Sequence, residues 1–488
     1  MKVLMATSEA DPFARTGGLG DMVGMLYGAL AVEGVSTDVI LPLYASVDRE
    51  RYGLVSTGKR ITIEIDGRPT AGEIFAAPLP SKGVHTGTAY FIANDMYFDR
   101  PGLYGDEEGD YPDNLERFVF FSRAVLEAVR ALGLSPDILH CHDWQTSLIP
   151  VYLHAQPERW ESLRGIRTLL TIHNLAYQGL FSHWDWPVLG LDWSLFGWQG
   201  LEFYGKINLL KGGILFASGI STVSKTYSRE IQTPEYGCGL EGVLQSRRDR
   251  IFGVVSGLDN ERWDPGTDAA LPECYSADHP AGKTACKRAL QSASGLEENP
   301  ALLLAAMVGD FEEQKGLDLI LESFEALTAL PLQIVILGRG ARPYGATLQD
   351  LCRQYPVNTH LSPEYGEADV RRAYAGADLF WIPHRFEPCG TAQLIALRYG
   401  AVPVAHFTGG LADTVSDMTP EGLLDGSATG FVFLEYNAAS FYDEVARAVA
   451  LHDDPAAWGR LRENGMRQDW SFLASARRYR DIYERLTA

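Results

Sequence analysis

The sequence is poor in cysteine and in positive charge, and it has no long apolar run. Its six cysteines lie among 488 residues without a C-x-x-C spacing, which argues against a disulfide framework or a zinc ribbon and favours a reducing compartment. Arginine and lysine number 42 against 63 acidic residues, and the net charge of −21 argues against nucleic acid and anionic membranes as partners. The longest apolar runs, such as 301–308, are too short to span a bilayer. The start, MKVLMATSEADPF, favours a strand over a signal peptide. We expect a cytoplasmic protein.

Short aliphatic or β-branched runs alternate with amphipathic helical patterns from end to end. This alternation is typical of parallel sheets covered by helices on both faces, and the chain is too long for one core. Residues 260–282 are rich in proline, glycine and aspartate and lack periodicity, so the boundary between two doubly wound α/β domains is expected there. The expected strands are Val3–Ala6, Asp38–Leu43, Asp137–His142, Thr168–His173, Ile220–Ser224, Ile251–Ser256, Leu302–Val308, Gln333–Leu337, Asp378–Pro383, Ala401–Ala405 and Gly430–Leu434.

A glycine turn near the start, RTGGLGD, looks at first like a dinucleotide-binding fingerprint. That fingerprint needs a third glycine, and Val23 stands in its place. Glycines before a helix N-terminus can hold an anion by their N–H groups, so we expect positive φ at Gly17 and Gly18, a helix cap from Asp21, and Arg15 beside the anion. A tight strand–helix turn without a ligand is the alternative.

Two histidine-containing segments end predicted strands in the first half. His140 and His142, in HCHDWQ, have the spacing of a metal pair, but no third ligand is evident, so no metal is predicted. Asp143 and Trp144 suit sugar binding by hydroxyl hydrogen bonds and ring stacking, and core packing of Trp144 is equally open. His173, in TIHNLAYQG, lies at a strand end, which modestly favours function over a core role.

The second half carries a lysine and a carboxylate in unusual places. Lys315 precedes an amphipathic helix at the end where the helix dipole disfavours a cation. Its position is explained either by an anionic ligand or by exposure of the side chain to solvent. In RFEPCG, Cys389, Gly390 and Thr391 open a helix whose first N–H groups suit a diphosphate. Glu387 is then placed to bind the hydroxyls of whatever the diphosphate carries. A second glycine turn, FTGGLADTV, follows.

Ordered motifs run along the whole chain: TGGLGD, HCHDWQ, TIHNLAYQG, YGKINLLKGG, YGCGLEGVL, QKGLDLI, RFEPCG and TGGLADTVSD. In these motifs the chain resembles the bacterial glycogen synthases and plant starch synthases of glycosyltransferase family 5. The resemblance implies a GT-B fold of two Rossmann-like domains facing a central cleft. It implies an acceptor-side domain over 1–260, a nucleotide-sugar domain over 261–469, and a helix over 470–488 that packs back on the first domain.

The activity implied by the resemblance is retaining transfer of glucose from ADP-glucose to the non-reducing end of an α-1,4-glucan, without a cofactor or a metal. Glu387 would orient the donor glucose, His173 would lie beside the reacting sugar, and Lys315 would contact the diphosphate. Asp143 would act near the sugar. The expected substrate-binding residues are Arg15, Thr16, Gly17, Gly18, Asp21, Trp144, Arg339, Tyr365, Cys389, Gly390, Thr391, Thr408, Gly409 and Gly410.

The sequence also departs from the family pattern. Arg15 replaces a lysine, Ser256 replaces an asparagine, and Phe407 stands where many members have a basic residue. Asp310 occupies the position of an arginine on the diphosphate. A charge 4 Å from a phosphate is worth roughly 4 kcal/mol at an effective dielectric near 20, so this exchange opposes donor binding.

Three explanations of Asp310 and one rival function stay open. In the first, Arg339 or Arg342 replaces the lost cation. In the second, the changes are unrelated surface substitutions. In the third, which has weaker support, a Mg²⁺ ion bridges Asp310 and the diphosphate. The rival function is a catalytically degenerate relative that binds α-glucan as a scaffold or primer-binding protein. A dinucleotide oxidoreductase is a distant third interpretation.

Overall fold

The computed structural model describes residues 1–80, 87–340 and 344–488. The chain forms two compact units, one of Met1–Gly257 with Phe472–Ala488 and one of Leu258–Ser471. The sequence placed these boundaries at 260/261 and 469/470. Among the described residues, no helix is both long enough and apolar enough to cross a membrane.

A nine-stranded sheet forms the centre of the first unit. Seven neighbouring strands are parallel, and two further strands join one edge in antiparallel orientation. In spatial order the strands are Ile251–Gly253, Gly219–Thr222, Arg167–Ile172, Ile138–His142, Lys2–Ala6, Ser36–Pro42, Thr88–Ala93, Arg68–Pro78 and Val55–Ile65.

The antiparallel edge corrects the expectation of purely parallel sheets. Its hairpin turns at Asp66 and Gly67, both with positive φ, which is the geometry that an Asp-Gly pair favours in a two-residue hairpin loop. Ile61, Ile63 and Ile65 are buried and alternate with exposed neighbours, as a half-covered strand requires.

Helices cover the first sheet. They are Gly18–Val32, Asp95–Phe98, Asn114–Ala131, Asp143–Thr146, Leu148–Ala155, Trp186–Leu189, Leu209–Phe216, Lys225–Glu230, Glu241–Ser246 and Phe472–Thr487. Single 3₁₀ turns lie at Glu161–Leu163, His183–Asp185, Trp193–Leu195 and Arg248–Arg250. Two small sheets consist of Leu180–Ser182, Lys206–Asn208 and Glu202–Phe203, and of Gly105–Asp106 with Gly109–Asp110.

The last helix, Phe472–Thr487, belongs to the first unit. Arg477 and Arg480 both form ion pairs with Glu33, at 2.9 and 2.8 Å. Tyr479 and Tyr483 on the same helix are buried. Burial of these aromatic side chains, with a smaller contribution from the partly exposed ion pairs, therefore holds this helix on the first unit.

The second unit contains a six-stranded, wholly parallel sheet. Every residue of Leu332–Leu337 is buried, as expected for a strand covered on both faces. In spatial order the strands are Thr359–Ser362, Leu332–Leu337, Leu303–Val308, Leu379–Ile382, Val402–His406 and Phe431–Phe433. The helices are Gly282–Ala293, Leu317–Thr328, Tyr344–Gln354, Glu367–Gly376, Ala392–Arg398, Gly409–Thr414, Pro420–Asp425, Ala438–His452 and Pro455–Met466, with a 3₁₀ turn at Glu313–Lys315.

Candidate active site

The first glycine turn is an open loop. Eleven residues lie between the strand Lys2–Ala6 and the helix that begins at Gly18, so the tight-turn alternative is wrong. The expected positive φ is also wrong, because Gly17 is extended at φ −164° and Gly18 is helical. A Cβ atom on either glycine would meet no protein atom within 4 Å. The backbone here is free to be approached closely from outside.

The buried side chain of Glu9 holds this loop in place. Its carboxylate accepts hydrogen bonds from the N–H and hydroxyl of Thr16 at 2.6 and 2.8 Å, and from Gly17 N at 3.3 Å. The hydroxyl of Tyr104 donates to it at 2.6 Å. No local pattern in the sequence marks Glu9, because its partner Tyr104 is 95 residues away.

Arg15 and Asp21 form an ion pair at 2.8 Å. Asp21 therefore does not cap the helix as expected; the N-cap position is Gly17, which has no side chain to do so. Both side chains are about two-fifths exposed, at 37% and 42%. An exposed pair of this kind is weak and can exchange partners with a charged ligand.

Asp143 follows the strand Ile138–His142 in a left-handed backbone conformation, with φ 56°. Such a conformation is uncommon for residues other than glycine, although asparagine and aspartate adopt it more readily than most, and it can mark a functional position. Its carboxylate accepts the backbone N–H of His173 at 2.8 Å. Burial raises the pKa of Asp143 to about 7; the hydrogen bond from His173 opposes the rise and the charge of Glu9 adds to it.

The histidines that follow strands lie together. His142 Nδ1 is 3.2 Å from His173 Nε2, whereas His140 bonds to Tyr483 and Thr171 instead. Burial lowers the pKa of His173 to about 4, so its ring is neutral near pH 7. Within the described parts of the chain, no group of three or more His, Cys, Asp or Glu side chains could hold a metal ion. The absence of a metal stays a prediction.

Trp144 packs within the first unit. Its ring makes an edge contact with Phe118 at 5.0 Å and lies 5.8 Å from Phe181. A Cβ on Gly179 would come within 2.7 Å of the indole, so that glycine makes room for it. The ring is half-buried: part of its surface packs against these neighbours, and the rest is accessible.

Glu387 is the centre of a buried charged cluster in the second unit, in the loop after the strand Leu379–Ile382. His384 Nδ1 lies 2.8 Å and Lys315 Nζ 3.5 Å from the same carboxylate oxygen. Burial by itself raises the pKa of Glu387, but the hydrogen bond from His384, the charge that His384 carries at low pH, and Lys315 outweigh it and lower the pKa to about 2. The carboxylate is therefore ionised at neutral pH. Burial also lowers the pKa of His384, so near pH 7 its ring is neutral and acts as a hydrogen-bond donor to the carboxylate. His384 was not predicted, although it stands three residues before Glu387.

A glycine fixes the position of Lys315. Gly316 has φ 71° and forms the N-cap of the helix Leu317–Thr328. A Cβ there would lie 1.9 Å from the carbonyl oxygen of Pro383, so only glycine lets the two loops approach. Because Lys315 is only 26% exposed and pairs with Glu387, the interpretation as a solvated surface lysine is wrong.

The second glycine turn serves a different purpose from the first. A Cβ on Gly409 would lie 2.0 Å from the carbonyl oxygen of Glu387, and one on Gly410 would lie 1.7 Å from that of Cys389. The N–H of Gly410 also donates to the Glu387 carbonyl at 2.9 Å. These glycines, which follow the fully buried Thr408, hold the loop that carries Glu387.

Gln393 supports the same loop from the helix Ala392–Arg398. Its amide donates to the carbonyls of Cys389 and Gly390 at 3.0 and 2.9 Å. Gly390 has φ 71°, and Thr391 occupies the N-cap without a side-chain hydrogen bond to the helix. Sequence reasoning missed Gln393, whose partners are close in sequence but depend on the turn at Gly390.

Arg339 and Tyr365 form a cation–π pair beside Asp310. The guanidinium lies 4.8 Å from the ring centre and donates to the Tyr365 carbonyl at 2.6 Å. Burial raises the pKa of Tyr365, the charge of Asp310 adds to the rise, and Arg339 opposes it. Among the described residues, no ion pair within 4.0 Å joins Asp310 to Arg339. Arg342 lies outside the described residues, so the charge exchange stays a hypothesis.

Comparison with known proteins identifies the family. The first unit matches the family model of the starch synthase catalytic domain over residues 2–246, and the second matches glycosyl transferases group 1 over 289–464. A glycogen synthase from Geotalea daltonii is 42% identical over 488 residues, covering all of this chain and 99% of the relative. A glycogen synthase from an Anaeromyxobacter species is also 42% identical and is covered completely.

Solved structures agree with this assignment. The catalytic domain of starch synthase IV from Arabidopsis thaliana, bound to ADP and acarbose, aligns with a TM-score of 0.86 and 32% identity, covering all of this chain and 99% of that one. A sucrose-phosphate synthase from Thermosynechococcus elongatus, 18% identical with a TM-score of 0.56, shares the fold. The predicted α/β class, GT-B fold and family resemblance are confirmed. The chain belongs to the glycogen and starch synthase family of glycosyltransferases.

Proposed function

We propose that this chain transfers glucose from ADP-glucose to the non-reducing end of an α-1,4-glucan, with retention at the anomeric carbon. The observation that carries the proposal is the buried cluster of Glu387, His384 and Lys315. An ionised carboxylate can accept hydrogen bonds from sugar hydroxyls, and an adjacent ammonium can contact a phosphate. The related Arabidopsis enzyme, solved with ADP and acarbose, supports the choice of an adenine nucleotide and a glucan-like sugar.

The chemistry of the reaction explains why these groups suit it. The bond between the anomeric carbon and the β-phosphate oxygen breaks, leaving negative charge on ADP, while the acceptor hydroxyl forms the new bond and its proton passes to the departing phosphate. Lys315 is placed to stabilise that charge. With its pKa near 2, Glu387 stays ionised throughout and holds the donor glucose rather than supplying a proton.

Residues of the first unit are assigned to the sugars. Asp143 and the neutral ring of His173 offer hydrogen bonds to hydroxyls, and the accessible part of Trp144 offers a stacking face. The open backbone at Gly17 and Gly18 suits a ligand that approaches closely. All six cysteines are free, which supports our proposal of a reducing, cytoplasmic location.

Residues of the second unit are assigned to the nucleotide part of the donor. Tyr365, with Arg339 over its ring, is assigned to the nucleobase. Cys389, Gly390 and Thr391 are assigned to the diphosphate. Gly409 and Gly410 are assigned to its vicinity because they contact the Glu387 loop, and Thr408, which precedes them, is assigned with them.

A second candidate is a glucan-binding protein without transferase activity, and the exposed carboxylate of Asp310 favours it. To separate the two, the protein would be mixed with ADP-glucose and a maltooligosaccharide, and ADP release would be followed beside calorimetric titration of the oligosaccharide alone. Transferase activity predicts ADP release that requires the acceptor. Saturable glucan binding without ADP release would establish the second candidate and refute the first.

A further inference from the structure

A row of buried histidines ends at the proposed sugar-contacting residue His173. The rings of His140 and His142 lie 4.2 Å apart between centroids, and both side chains are fully buried. His142 Nδ1 then meets His173 Nε2 at 3.2 Å. Sequence reasoning considered His140 and His142 only as a metal pair, and the proposed reaction gives His142 no role.

His140 holds the inner end of this row. Its two ring nitrogens bond to the hydroxyls of Tyr483, at 2.8 Å, and Thr171, at 2.6 Å, and Thr171 continues to Ser221 at 2.6 Å. With both nitrogens engaged, His140 cannot rotate without losing buried hydrogen bonds. Its ring therefore forms a fixed surface against which His142 packs.

Both members of the contact between His142 and His173 are neutral. Burial lowers the pKa of His142 well below its ordinary value and that of His173 to about 4. Each ring presents one nitrogen to the other. When both rings are neutral, a hydrogen bond between these nitrogens requires that one of them carry a proton and the other be bare. Either His142 Nδ1–H donates to His173 Nε2, or His173 Nε2–H donates to His142 Nδ1.

The other nitrogen of His142 separates the two arrangements. His142 Nε2 is buried and has no hydrogen-bond partner among the described residues. If His173 were the donor, His142 would carry its proton on Nε2, as a buried N–H without an acceptor. Orphaned buried N–H groups are rarer in proteins than under-satisfied acceptors. The first arrangement leaves only a lone pair unpaired.

We propose that His142 is a positioning residue that donates from Nδ1 to His173 Nε2 and thereby fixes His173 as the Nδ1–H tautomer. The backbone N–H of His173 is fixed separately, by Asp143 Oδ1. His173 is partly exposed, and its Nδ1 bonds to no described residue. The ring accordingly offers one N–H donor to a substrate hydroxyl oxygen. The functional half of this inference rests on the proposed contact between His173 and a sugar.

The tautomer can be measured on the whole protein without substrate. Long-range ¹H–¹⁵N correlation spectra of ¹⁵N-histidine-labelled protein distinguish protonated from bare ring nitrogens, and loss of signals in His173→Gln assigns the ring. We expect a protonated Nδ1 and a bare Nε2 on His173, unchanged between about pH 6 and 8. A protonated Nε2 would overturn the proposal.

Variants of His142 test the cause of the tautomer. His142→Asn keeps an N–H donor near the position of Nδ1, whereas His142→Phe fills the same space without one; His154→Phe, at an exposed histidine, is the matched control. We expect His142→Phe to give mixed tautomers on His173 and to lower kcat roughly three- to tenfold at nearly constant KM, with rescue by His142→Asn. Retention of a single Nδ1–H tautomer in His142→Phe would contradict the proposal. A fixed Nδ1–H tautomer in a protein that transfers no glucose would count against the proposed function alone.

Discussion

Lys315 Nζ lies 3.5 Å from Glu387 Oε2, and both side chains are largely buried. Two loops that follow different strands of the second unit bring them together, and the contact of Gly316 with Pro383 permits it. The packing of these loops orients the pair. A site whose charges are already oriented does not have to reorganise when the charge of a leaving group develops.

Replacement of Lys315 by methionine tests the assignment to the diphosphate. The variant keeps the aliphatic stem and removes the ammonium, so we expect the KM for ADP-glucose to rise about tenfold or more, as loss of a hydrogen bond between charged groups implies. Steady-state kinetics measure this, with Lys59→Met at an exposed strand position as the control. An unchanged KM and kcat would show that Lys315 contacts no substrate.

The hydrogen bonds of Glu9 predict an effect on the first glycine loop. Glu9→Gln places an amide NH₂ against groups that are themselves donors, so we expect the loop to open more often. Hydrogen exchange at the Thr16 and Gly17 amides, measured by mass spectrometry, should accelerate about tenfold, corresponding to a typical hydrogen-bond contribution. Glu108→Gln, at an exposed acid, should leave exchange there unaltered. Equal exchange in all three proteins would contradict the role of Glu9.

Asp143 predicts a pH dependence of stability. Its pKa near 7 in the folded protein lies above the ordinary value of 3.8. The raised pKa therefore adds to the free energy of unfolding, and this contribution is fully present below about pH 4 and is lost as the pH rises through 7. Asp143→Asn does not titrate, keeps an oxygen for His173 N–H and tolerates the positive φ. The melting temperature of the variant minus that of the wild type should therefore increase from pH 4 to 7.5. A difference that is flat or falls with pH would show that this carboxyl is not raised.

A substitution at Asp310 tests how strongly the acidic loop opposes the binding of ADP-glucose. Asp310→Arg replaces repulsion of the donor diphosphate by attraction, so we expect the KM for ADP-glucose to fall at least tenfold, with a smaller effect at high salt. Glu312→Arg, two residues away and exposed, controls for the general gain of charge. A rise in KM specific to Asp310→Arg would mean that this carboxylate takes part in donor binding.

Most of the sheet could be predicted from the sequence because buried parallel strands are continuous apolar runs. The run at 332–337 is one example, and its observed bounds differ from the prediction by a single residue. The hairpin of Val55–Ile65 and Arg68–Pro78 was missed, although alternating burial and the pair Asp66-Gly67 signal it. Its polar face weakens the hydrophobic pattern on which the prediction relied.

The site was less predictable because its contacts join distant segments. Motif spacing places Glu387 and Lys315 in the candidate site, but the roles of Glu9 and His142 depend on partners 95 and 31 residues away. The two Thr-Gly-Gly-Leu motifs make the same point. Gly17 has open space around it, whereas a side chain at Gly410 would collide with the carbonyl of Cys389. The two motifs therefore need glycine for different reasons, which only the packing of the loops reveals.

The proposed function requires that the Glu387 cluster hold a nucleotide sugar for glucosyl transfer. The most direct measurement is incorporation of label from ADP-[¹⁴C]glucose into a maltooligosaccharide by the wild type, by Glu387→Gln and by Glu325→Gln, which changes an exposed acid on the helix Leu317–Thr328. We predict incorporation by the wild type and Glu325→Gln and a loss of at least a hundredfold in Glu387→Gln, since electrostatic groups of an active site commonly contribute that much. Equal incorporation by Glu387→Gln and the wild type, or none by any of the three proteins, would contradict the account.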